Sequence, residues 1–92
     1  MKIPKKVRVL GHWYKVEIQK EDASGNDNLG THWGKFLKMW LSSNQCKEKM
    51  EETFLHEIIE AVNYHLDLDL KHPQISGLSQ SFHQIFKDNK LF

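Results

Sequence analysis

The sequence predicts an α+β domain: a small three-stranded sheet of antiparallel type with two helices packed on one face. Three observations carry this. Residues 6–19 and 36–41 alternate apolar and polar side chains at the period of a strand. Residues 45–66 repeat their apolar positions at the period of a helix, and a second helical period opens at Pro73 after a short turn.

The elements follow in chain order. In "KVRVLGHWYKVEIQ", Val7 and Val9 share one face, as do Tyr14, Val16 and Ile18, with Lys15 and Glu17 opposite. Leu10 to Trp13 is a tight connection around Gly11, so the stretch reads as a β-hairpin with one buried face. "KEDASGNDNLGTHWG" is polar and carries three glycines, the composition of a long loop. "KFLKMWLSS" alternates again, with Leu37, Met39 and Leu41 against Phe36, Lys38 and Trp40, and gives a third strand.

A helix should start near Gln45, with Ser43 or Asn44 as its cap. Met50, Phe54, Leu55, Ile58, Ile59, Ala61, Val62 and Leu66 cover a wide arc of it, so it lies across the sheet as the central core element. "DLDLKHP" turns the chain, and Pro73 suits the first position of the next helix. Ile75, Leu78, Phe82, Ile85 and Phe86 recur at helical spacing to about Asp88. The whole chain, 1–92, reads as one domain: a β-rich half (1–42) with a glycine-rich loop (21–34), a first helix (45–66) and a second (73–88).

Composition narrows the function. A chain of this size buries one modest core. A formal charge of +1 argues against nucleic acid, although Lys2, Lys5 and Lys6 make the first strand basic. The single cysteine, Cys46, and the lack of a signal-like apolar start point to the cytoplasm. No apolar run is long enough to span a membrane.

The chemistry concentrates in "FLHEIIEAVNYHLDLDLKH", residues 54–72. With His56 at zero on a helical wheel, Glu60 falls at about 40° and Glu57 at about 100°, outside or bordering the apolar arc. An i, i+4 pair such as His56 and Glu60 can bring two donor atoms to one metal ion. His56-Glu57-Ile58-Ile59-Glu60 is the H-E-x-x-H pattern with its second histidine replaced by glutamate. In that pattern the glutamate after the first histidine takes a proton from metal-bound water. The same residues also suit a plain hydrogen-bonded pair on an exposed helix face, with Glu51, Glu52 and Glu57 as solvated charges.

With its upstream strand, "ETFLHEIIEAVNYHLDL", the "LKH" turn and a closing helix ending "FKDN", the chain resembles the minimal zincin-like metallopeptidases of bacteriophages and prophages over roughly residues 36–89. The resemblance implies a zinc site with His56 and Glu60 as helix ligands, His72 as the third ligand and Glu57 as general base. The carboxylate at 60 also admits manganese or iron. His65, Asp67, Asp69 and His83 are the other candidates for the third ligand.

The expectation is a zinc-dependent metallopeptidase, with a peptide or protein substrate lying along the edge of strand 36–41. The alternative is a non-catalytic phage accessory or regulatory module that keeps the zincin-like fold and binds a protein, with or without metal. An open sheet edge also allows a homodimer. A nucleic-acid binder acting through the basic first strand is disfavoured by the overall charge.

Overall fold

The structure, a computed structural model, describes residues 1–20 and 29–91. The elements are β1 (Lys6–Val9), β2 (His12–Gln19), β3 (Gly30–Trp33), β4 (Lys38–Ser42), α1 (Lys47–Leu66) and α2 (His72–Asp88), with one 3-10 turn at Gly34–Phe36. Most of the expected loop 21–34 lies outside the described residues, but its last part is a strand.

The α+β class holds, but the sheet has four strands rather than three, in the order β1-β2-β4-β3. β1–β2 and β3–β4 are antiparallel, whereas β2–β4 is parallel, so the sheet is mixed. The β1–β2 hairpin turns through Leu10 and Gly11, both at positive φ (51° and 85°). Two successive left-handed residues suit the right-handed twist of the flanking strands, and glycine takes the second without strain.

Strand 36–41 was expected at an edge. It runs instead from Lys38 to Ser42 as β4, paired on both sides. Leu37 before it is left-handed (φ 53°), which ends the 3-10 turn and resets the chain for β4. The outer strands are β1 and β3.

Register decides which side chains meet the helices. The pairs Val7↔Tyr14, Val16↔Met39 and His32↔Met39 put these residues on one face. Val9, Tyr14, Val16, Met39, Leu41, Phe54 and Ala61 form the core between that face and α1. Trp40 alternates to the other face and is also buried; its indole N–H is the one buried side-chain donor without a partner among the described residues.

α1 starts two residues later than expected, with Cys46 at its cap and no side-chain cap bond, and it ends at Leu66 with Asp67 left-handed (φ 52°). Asn63 then ties down the turn: its amide accepts from Leu70 N at 2.9 Å and donates to Leu70 O at 3.3 Å. This returns the chain to lay α2 along α1. Ile75, Ser79 and His83, spaced by four, are the buried positions of α2. Leu78, Phe82 and Ile85 remain 38–41% exposed, so α2 packs through a narrower stripe than its apolar spacing predicts.

Candidate functional site

A cleft of about 310 Å³ lies where the start of β3 meets the two helices. Gln45, outside the lining, ties one wall together. Its amide donates to Leu29 O (3.2 Å) and Ser42 O (2.7 Å), while Thr53 Oγ1 lies 2.9 Å from its oxygen. These bonds hold the entry to β3 against the first turns of α1. The turn at 67–71 supplies the other wall by bringing His72 and Ser76 over α1.

His56 and His72 both line this cleft, their ring centroids 5.2 Å apart. His72 Nε2 is 3.4 Å from Ser76 Oγ. The His56 imidazole is held below the usual histidine range, first by burial and then by the neighbouring His72 and Lys49. Each of these effects favours the neutral ring.

Glu57 also lines the cleft and is only 4% exposed, not the solvated charge its residue type suggests. Burial, reinforced by Glu60, pushes its carboxyl up to about 8. At neutral pH it therefore carries its proton, the form that donates a hydrogen bond rather than accepting one. It packs directly beneath β3: a Cβ on Gly30 would stand 2.8 Å from Glu57 Oε2 and 2.6 Å from Thr53 Cγ2.

Glu60 does not line the cleft; its effect there is electrostatic, through Glu57. His65 Nε2 accepts from or donates to Tyr14 Oη at 2.7 Å, on the core side of α1. His83 Nε2 lies 2.9 Å from Glu51 Oε1 in a buried pair. Asp67 and Asp69 are exposed residues of the turn, and Asp69 pairs with Lys71 at 2.8 Å.

The expected metal centre is therefore corrected. Among the described residues, no group of three His, Cys, Asp or Glu side chains is placed to hold a metal ion. Two imidazoles without a converging carboxylate supply half of a tetrahedral shell. The residues present do not fit zinc, and the same geometry removes manganese and iron.

Two further clusters escaped the sequence reading. Tyr14 is fully buried, and its hydroxyl lies 2.8 Å from His32 Nε2 and 2.7 Å from His65 Nε2. His12 stacks on His65, with centroids 4.2 Å apart. Glu51, 3% exposed, takes His83 on one oxygen and the Met1 ammonium on the other at 3.2 Å. Burial pushes its carboxyl up, but the hydrogen bonds from His83 and Met1 outweigh this and leave it below the ordinary range. Neither cluster leaves a clear local signal: Glu51 sits in the charged stretch 47–53. The partners lie 18 to 51 residues away in sequence.

Comparison with protein-family models, with curated proteins and with solved structures returns no match. Together with the missing ligand set, this overturns the resemblance to the zincin-like metallopeptidases. The zinc-dependent peptidase function, the zincin-like accessory module and the bacteriophage origin fall with it. A small α+β domain with an exposed sheet edge remains, and none of its described helices is long and apolar enough to cross a membrane.

Proposed function

We propose that the protein is a binding domain that takes an extended peptide segment of a partner protein along the outer edge of β3. In this reading one polar side chain of the peptide enters the cleft between α1 and α2. The carrying observation is the junction at Gly30, where the outermost strand forms part of the cleft wall. An added strand at that edge is held by main-chain hydrogen bonds, and the adjacent cleft gives side-chain selectivity. The cleft walls offer His56, His72, Ser76, Ser79 and Gln80, a lining that recognises hydrogen-bonding groups rather than apolar ones.

Glu57 is a positioning residue in this reading. It fills the space under Gly30 and sets the height of β3 over α1. A cytoplasmic setting suits the exposed, unpaired Cys46.

The test is selection from a random linear peptide library on the full chain, followed by amide hydrogen exchange with an enriched peptide. Slowed exchange at 30–33, and weaker binding by His72→Ala, supports the reading. Protection confined to β1 or to α2, or pairing of two copies through β3 with no peptide enriched, rejects it.

A further inference from the structure

The helix-free face of the sheet carries an arrangement that the charge total conceals. The register sets Lys6 opposite Lys15, Lys15 opposite Lys38, and Lys38 opposite Trp33. One row thus crosses all four strands as Lys-Lys-Lys-Trp. At about 4.8 Å between strands, the three ammonium stems are rooted within about 10 Å. In the adjacent row of the hairpin, Arg8 stands opposite Trp13.

Like charges directly opposite one another in a sheet are unfavourable. Glu17 offsets part of that cost, lying 3.4 Å from both Lys15 Nζ and Lys38 Nζ. Lys6 and Arg8 make no ion pair among the described residues. They lie 4.9 and 5.8 Å from the centroid of Trp13, which is 52% exposed. Lys38 lies 5.8 Å from the centroid of Trp33. Four cations and one carboxylate therefore share a face of a chain whose formal charge is only +1.

We infer that this face binds single-stranded nucleic acid, with phosphates on Lys6, Arg8, Lys15 and Lys38 and bases stacked on Trp13 and Trp33. The inference goes beyond the peptide reading and uses a different surface. A row of cations alone would attract any polyanion. The exposed indole of Trp13, with the half-buried Trp33 at the far end of the row, adds what unstacked bases require, since base–aromatic stacking works for every base. A duplex hides those base faces. On this face the lysine row and the hairpin end at Trp13 are the open part, since Trp40, further along β4, is buried there, and a single strand can lie across that part. The sequence-level argument against nucleic acid rested on total charge, which says nothing of where strand register gathers it.

The experiment is fluorescence anisotropy of the full chain with a dye-labelled oligouridylate or oligothymidylate. A duplex of equal length and polyglutamate serve as competitors. Saturable binding of the single strand is expected, with log K falling against log salt at a slope of about −3 for four phosphate contacts. Lys15→Gln with Lys38→Gln should flatten that slope by about 1.4. Trp13→Ala should weaken binding roughly 5- to 100-fold at an unchanged slope, and Trp13→Phe should restore most of it.

Circular dichroism of each variant separates lost binding from lost fold, and Lys47→Gln on α1 should bind as the parent does. No saturable binding at low salt would overturn the inference. So would displacement by polyglutamate as readily as by the single strand, tighter binding of the duplex, or indifference to Trp13→Ala. Failure here leaves protection at 30–33 by a peptide untouched, so the two readings stand or fall separately.

Discussion

Glu57 Oε2 lies so close under Gly30 that a methyl group on the glycine would come within 2.8 Å of it. The strand that borders the cleft therefore rests on a buried carboxyl, with no side chain of its own between them. Gly30→Ala must push Thr53, Glu57 or the β3 backbone aside, and it should cost about 1–3 kcal/mol in urea unfolding. Gly11→Ala is a different case. Nothing lies within 4 Å of the added carbon, but φ is +85°. Its cost is conformational, about 1 kcal/mol. A Gly30→Ala variant as stable as the parent would show that β3 does not rest on α1 in this way.

The raised carboxyl of Glu57 sets a pH dependence with a definite sign. Its folded value of about 8 lies above the ordinary 4.5, so the folded protein holds a proton that the unfolded chain has released. Stability linked to this group is complete below pH 4.5 and is lost as pH rises to about 8, on the order of a few kcal/mol in all. Glu57→Gln keeps the shape and removes the titration. Its advantage over the parent should grow from pH 5 to pH 8, read as the difference in Tm at each pH. A constant difference across that range would place the carboxyl in water.

The elements with strong local periods were readable in the sequence. The hairpin alternates over enough residues to fix its faces, and α1 and α2 carry apolar repeats bounded by Asp67 and Pro73. β3 was not readable. Four residues, Gly-Thr-His-Trp, are too few to show alternation, and the glycines around them look like loop punctuation. Nor was the central place of β4, because its parallel pairing with β2 is nonlocal and leaves no mark on either segment. The helical wheel put His56 outside the apolar arc, and its ring does lie in the cleft. The wheel could not say that α2 would cover His56 and not Glu60. It put Glu57 at the border of the apolar arc; the alternative reading of Glu51 and Glu57 as solvated charges fails because groups from other elements close over them.

The Tyr14 hydroxyl has one proton and two imidazole neighbours, so it donates to one of His32 and His65 and accepts from the other. Tyr14→Phe leaves both ring nitrogens without that partner inside a tightly packed site. It should destabilise the fold by about 1–3 kcal/mol. The chemical shifts of His32 and His65 should move, and those of His56 and His72 should stay in place. His32 is held low by burial and then by His65; His65 is held low by burial and then by His12. Histidines with lowered folded values contribute stability that is present above pH 6.5 and lost as pH falls below it. A Tyr14→Phe variant with parental Tm and unmoved imidazole shifts would refute the bridge.

Glu51 and Glu48 lie one turn apart on the same helix, and both reach a cation or histidine near α2. Their surroundings give opposite expectations. Glu48 pairs with Lys87 at 2.6 Å in the open, with 69% and 45% of the two side chains exposed. Water and salt screen such a pair, so Glu48→Ala should leave stability nearly unchanged. Glu51 is buried between His83 and the Met1 ammonium, and Glu51→Ala strips a carboxylate from groups already out of water. The cost of breaking a buried pair is about 3–5 kcal/mol. The folded value of Glu51 lies below 4.5, so its contribution is present above that pH and lost as pH falls through the folded value. Unfolding curves at pH 7 and pH 3 should show the Glu51→Ala penalty shrinking in acid, while Glu48→Ala stays nearly neutral at both. Equal penalties for the two variants at pH 7 would mean that the Glu51 site is open to water.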